Sequence, residues 1–125
     1  MTTTKSIKAL HDEIIRKVTT ESFTDGTYDI ETLKPVEFKN GFQVSFYTEG
    51  MKLSDEQYDY IVSMFLEFSM DGKTYLGYFW NTPEISFRIA DKRTAKRLAK
   101  QFNQFSIWNW RKGTDIKTKG TGKAE

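Results

Sequence analysis

The chain has 125 residues, no cysteine, and aromatic side chains at 15% of positions, ten of them phenylalanine. That composition excludes a disulfide framework, thiolate metal sites and a disordered polymer, and it leaves one domain with apolar mass enough for a core. The net charge of +2 hides an asymmetry, because positions 1–90 hold nine Lys and Arg against fourteen Asp and Glu, whereas positions 91–125 hold ten against three.

In chain order, residues 4–20 read as a helix with a narrow apolar stripe of Ile7, Leu10, Ile14 and Val18, broken by Asp25-Gly26. The stretch "FKNGFQVSF" (38–46) sets Asn-Gly between two apolar-polar alternations, so residues 35–39 and 42–48 predict a hairpin with a tight primed turn. Ser54 is an N-cap for a helix over 54–68, with Tyr58, Ile61, Val62 and Phe65 at i, i+3, i+4 and i+7. Residues 73–80 and 84–90 predict a second hairpin, with Pro83 at a strand start where its missing N–H does least harm. Asp91 caps a helix over 91–103, where Ala95, Leu98, Ala99 and Phe102 repeat the spacing, and residues 105–110 read as a last strand. From Lys112 on only one sizeable apolar side chain remains, so residues 1–111 read as a single domain and 112–125 as a flexible basic tail.

The two hairpins resemble each other. "FWNTPEISF" (79–87) keeps Phe, Asn, a β-branched residue, Ser and Phe at the spacings of 38–46, and both following helices end in Phe-x-x-Phe-Ser. The pattern predicts a duplicated ββα unit that buries its apolar face against its copy. The expected class is α+β: four to five antiparallel strands with helices on one face, in the order α-ββα-ββα-β. The alternative is a ferredoxin-like βαββαβ core over 42–110. The two differ in whether residues 35–39 or the last strand pair with 42–48. Alternation points Val36, Phe38, Phe42, Val44, Phe46, Phe79, Ile85, Phe87 and Ile89 toward the helices.

Two surfaces carry the functional signal. Lys92, Arg93, Lys96, Arg97 and Lys100 line the polar side of the third helix, and Arg111 and Lys112 follow it, the electrostatic footprint of contact with phosphate or an acidic protein surface. The competing reading is a solvated face, partly paired with Asp55, Glu56 and Asp59. Tyr47, Tyr78, Trp80, Arg88, Trp108 and Trp110 are expected on the sheet face away from the helices, where aromatics and arginine stack unpaired bases or form a protein interface, unless the first helix covers them.

Catalytic signals are poor. His11 sits among charged neighbours and reads as a solvated helix residue. "GTGK" (120–123) lacks the Ser or Thr and the following helix of a phosphate loop. Asp55 with Asp59, or Glu84 with Arg88, could serve a small metal-dependent nuclease, the remote alternative, yet each has an ordinary place on a solvent face, so no enzyme, cofactor or resident metal is expected. No apolar run nears the roughly 18 residues of a membrane span, and the opening segment has no signal-peptide stretch. A soluble cytoplasmic protein is expected, with the oligomeric state, homodimer included, left open.

In size, sparse catalytic clusters and a lysine-, phenylalanine- and tyrosine-rich style, the chain resembles small accessory proteins of bacteriophages and mobile elements, the anti-CRISPR and other anti-defence inhibitors among them. The resemblance implies a stoichiometric binder that acts in the cytoplasm of a bacterial host and blocks a defence or nucleic-acid-processing complex, its basic helix docking where nucleic acid or an acidic groove lies. The alternative is a direct nucleic-acid binder, taking single strands on the aromatic face or a duplex backbone along the third helix.

Overall fold

The computed structural model describes residues 6–19, 23–46, 53–79, 82–102, 104 and 106–118. Its elements are α1 (Ile7–Thr19), β1 (Gly26–Asp29), β2 (Phe42–Phe46), α2 (Asp55–Phe68), β3 (Ser69–Phe79), β4 (Thr82–Ile89), α3 (Lys92–Gln101), β5 (Ser106–Asn109) and β6 (Thr114–Lys117). The six strands form one antiparallel sheet in the order β1-β3-β4-β2-β5-β6, so the class is α+β.

The first predicted hairpin is not made. β2 pairs with β4 along its whole length, Phe42 opposite Ile89 and Phe46 opposite Ile85, and its other edge pairs with β5 through Phe42↔Asn109 and Gln43↔Trp108. Trp110 N–H also donates to the Gly41 carbonyl, so β5 and the residue after it take the start of that edge, where a hairpin strand over 35–39 would have to pair. Those residues instead belong to a crossover from β1, held by a bridge between Tyr28 and Pro35 and by Val36 N–H donating to the Thr27 carbonyl. Asn40-Gly41 forms the corner that enters β2. Gly41 has φ +88°, a backbone conformation strained for a residue with a Cβ, and an added Cβ would also have to displace Met70 Sδ, 2.8 Å away.

The segment from β2 to β5 therefore runs β-α-β-β-α-β with strand order β3-β4-β2-β5, the ferredoxin-like arrangement, extended by β1 on one edge and β6 on the other. The ββα duplication fails because its first copy lacks a first strand. What the two copies share is one strand followed by one helix, β2-α2 and β4-α3, in which Phe46 and Phe87 are both buried against the helices.

All three helices lie on one face. Val44, Phe46, Ile85, Phe87, Ile89 and Ile107 of the sheet pack with Tyr58, Val62 and Phe65 of α2 and Ala95, Leu98 and Ala99 of α3. Phe65 stacks on Phe87 at 4.8 Å between ring centroids. α1 docks beside α2, its Val18 and Ile14 covering Tyr28, Leu76 and Tyr78. Helix α2 is closed at its start by a capping box between Ser54 and Gln57, and α3 by the Asp91 carboxylate accepting from Thr94 N–H.

Three sidedness expectations are reversed. The β3–β4 hairpin pairs Phe79 with Thr82, Leu76 with Ile85 and Tyr78 with Pro83. Cross-strand partners share a face, so Leu76 and Tyr78 point to the helices with Ile85, and Phe79 points away. Phe38 also lies on the far side, edge-on to Tyr75 and Trp110. The tail expectation changes too. Asn109 Oδ1 accepts from the backbone N–H of Arg111 and Lys112, Gly113 takes φ +63°, and Thr114–Lys117 returns as β6 against β5. Residues 119–125 are outside the described set.

This register has a direct test in denaturant unfolding. Phe87→Ala is expected to cost roughly 3–5 kcal/mol, the usual range for a fully buried aromatic. Phe79→Ala, half-buried on the other face, is expected to cost much less, and equal costs would contradict the assigned pairing.

Candidate docking surface

α3 owes its position to Ala95, Leu98 and Ala99, which are 0 to 1% exposed on the sheet, with Phe102 beside them. The small side chains at 95 and 99 let the helix axis approach β2 closely, and the opposite side of the helix is left to solvent. Lys92, Arg93, Lys96, Arg97 and Lys100 are all exposed there. Arg111 and Lys112 are exposed in the β5–β6 turn, at the same end of the sheet as the start of α3, since Ile89, Phe42 and Asn109 are neighbours in register.

The expected pairing of this row with α2 is not made. Among the described residues, no carboxylate of Asp55, Glu56 or Asp59 forms a salt bridge with any of the five α3 cations; Lys8 with Asp12 on α1 is an ion pair elsewhere, at 3.0 Å. Arg97 turns instead toward Phe68, the last residue of α2, its guanidinium carbon 5.6 Å from the ring centre. Phe68 is 43% exposed and the neighbouring Met70 39%. The sequence reading missed both. Phe68 continues the i+3 spacing from Phe65 and so resembles a core position, but it falls at the helix end, where Ser69 turns the chain into β3.

The aromatic surface does not assemble as expected. Tyr47 and Trp80 lie outside the described residues. Tyr78 is buried under α1. Arg88 is committed to the crossover: its Nε and Nη2 donate to the Asn40 carbonyl at 3.2 and 3.0 Å, it also bonds Asn40 Oδ1, and its guanidinium lies 4.1 Å from the centre of the Phe38 ring. Trp110 Nε1 donates to Gln43 Oε1 and Gln43 Nε2 to Ser86 Oγ, so these polar groups satisfy one another beneath the loop. Trp108 stays half-buried, edge-on to Trp110 at 6.3 Å. The first helix does not cover this face. The crossover does, in part, and it ties the aromatics to each other.

Among the described residues, no group of three or more His, Asp or Glu side chains is placed to hold a metal ion. Glu84 and Arg88 share the far face of β4, and burial raises the Glu84 carboxyl above its ordinary value, opposed by a hydrogen bond with Ser45. Also among the described residues, no helix is long and apolar enough to cross a membrane. No family model, curated protein or solved structure matches the chain.

His11 is not solvated. It is 7% exposed between α1 and α2, its Nδ1 2.7 Å from the Tyr58 hydroxyl and the rings edge-on. It also borders a cleft of about 320 Å³ with Asp29, Glu31, Lys73, Thr74 and Tyr75. Burial lowers its pKa against the opposing pull of Asp12 and Asp59, and burial likewise pushes the Tyr58 phenol above its ordinary range. A histidine whose folded pKa is depressed favours folding only while neutral, because below its ordinary value of 6.5 the unfolded chain binds the proton first. Stability is therefore expected to fall as pH drops through 6.5. His11→Gln, which keeps a hydrogen-bonding group facing Tyr58, is expected to flatten that part of the curve; identical pH profiles in chemical denaturation would contradict it.

Proposed function

We propose that this protein is a non-enzymatic binding protein, an inhibitor carried by a phage or mobile element, that docks through the basic side of α3 onto a defence or nucleic-acid-processing complex of its bacterial host. The observation that carries this reading is the set of five exposed α3 cations, none of which forms a salt bridge with a carboxylate among the described residues. Like charges four residues apart, as at Lys92/Lys96, Arg93/Arg97 and Lys96/Lys100, destabilise a helix by a few tenths of a kcal/mol per pair, in the range of about 0.2–0.5. A partner that neutralises them recovers this cost and adds long-range attraction. The far face supports the reading less, since Arg88 and Trp110 are occupied with Asn40 and Gln43.

The test is charge reversal at Lys92, Arg93, Lys96 and Arg97 to Glu. These positions are exposed, so the variant is expected to stay folded, with unfolding free energy changed by no more than about 1 kcal/mol for each lost surface interaction. Capture of host complexes by tagged protein is expected to be lost in the variant. Loss of the parent's captured complex on nuclease treatment assigns the contact to nucleic acid, and survival assigns it to protein. A folded variant that captures the same complex with the same affinity at low salt overturns docking through α3.

A further inference from the structure

We infer that the surface formed by α3 and Phe68 takes single-stranded nucleic acid, the phosphates lying along the cation row and an unpaired base stacking on Phe68. This rests on the docking function proposed for α3 and names its partner. The first support is charge that is uniform as well as positive. From 92 to 112 the chain holds seven Lys and Arg and no Asp or Glu. A phosphodiester backbone presents only negative charge, which this row complements, and the carboxylate of Asp91 at its start is tied to Thr94 N–H and Oγ1.

The second support is spacing. Lys92, Lys96 and Lys100 follow one another at four-residue intervals, and so do Arg93 and Arg97. At 1.5 Å per residue the cations recur about every 6 Å along the axis, so successive charges are within reach of successive backbone groups.

The third support is Phe68, which separates single strand from duplex. Phe68 is 43% exposed and meets the row at Arg97, whose guanidinium carbon lies 5.6 Å from the ring centre. In a duplex the base faces are stacked inside, and an exposed phenyl ring set against phosphate gains nothing. An unpaired base offers a π-face to the phenyl ring and to the guanidinium beside it.

The experiment measures fluorescence anisotropy of labelled oligo(dT) of roughly 15 nucleotides, within the usual site sizes of single-strand binders, and of a mixed-sequence duplex of equal length. The parent is expected to bind oligo(dT) more tightly than duplex, with affinity falling steeply between about 50 and 200 mM salt. Phe68→Ala is expected to weaken oligo(dT) binding about 5- to 150-fold, the range for one lost base stack, and to leave the salt dependence unchanged. Phe68→Trp is expected to retain binding, which shows that a fall in the alanine variant reflects stacking. Changing Lys92, Lys96 and Lys100 together to Glu is expected to lower the log-log salt slope by about 2, at roughly 0.7 per single-strand phosphate. Duplex bound as tightly as oligo(dT), or an unchanged Phe68→Ala, overturns the inference. If oligo(dT) does not bind at all while host-complex capture still depends on the α3 cations, the single-strand partner is wrong and docking through α3 stands. If capture itself ignores those cations, it is the docking function that fails.

Discussion

The two edges of β2 organise this molecule. A strand has two rows of backbone hydrogen-bonding groups, and in β2 one row is taken by β4 and the start of the other, at Phe42 and Gln43, by β5. Once β4 lies between β2 and β3, and β2 between β4 and β5, each pair of parallel strands is separated by a third, and the connections must cross it. α2 and α3 are those connections. Both cross on the same face because both carry their apolar stripes against Val44, Phe87 and Ile107 and their neighbours. The chain arriving from β1 finds both edges taken at the start of β2, so it travels over the far face and enters β2 at the Asn40-Gly41 corner, where Arg88 fastens it.

That layering gives the two faces of the sheet different surroundings. The helical face holds the apolar core. The far face is half polar, and its buried groups are satisfied locally, Gln43 by Ser86 and Trp110, and Glu84 by Ser45. A buried polar atom left unpaired costs about 1–3 kcal/mol, so these contacts hold β2, β4 and Trp110 together, while the crossover is held by Arg88 on Asn40 and by Phe38 against Tyr75 and Trp110. Among the described residues, Phe38, Tyr75 and Trp110 are spent in that closure. The solvent side of α3 has no such closure, and its charge is available for an external partner.

How much of this was legible in the sequence follows from the range of each force. Helix positions and caps were legible, because the 3.6-residue period and the Ser54 and Asp91 caps act within a few residues of themselves. So were the β3–β4 hairpin and the exposure of the cation row, which is forced once Ala95, Leu98 and Ala99 are buried. The four-residue strands β1 and β6 were not legible, since "GTYD" and "TDIK" are too short to show alternation. The facing of Phe79 was lost by one residue in the register of a tight turn, and a one-residue shift moves a side chain through the sheet.

The local sequence, then, determined the helices, the class and the charge asymmetry, because each depends on neighbours in the chain. Tertiary structure alone decided which strand β2 accepts, where Phe38 and Tyr78 point, that His11 is buried against Tyr58, and that Phe68 is left in solvent beside Arg97. An Asn-Gly turn stabilises a hairpin only if the strand it leads into has a free edge. When two long-range partners take both edges at the start of the strand, the backbone hydrogen bonds they bring outweigh the local preference, and the turn becomes a corner.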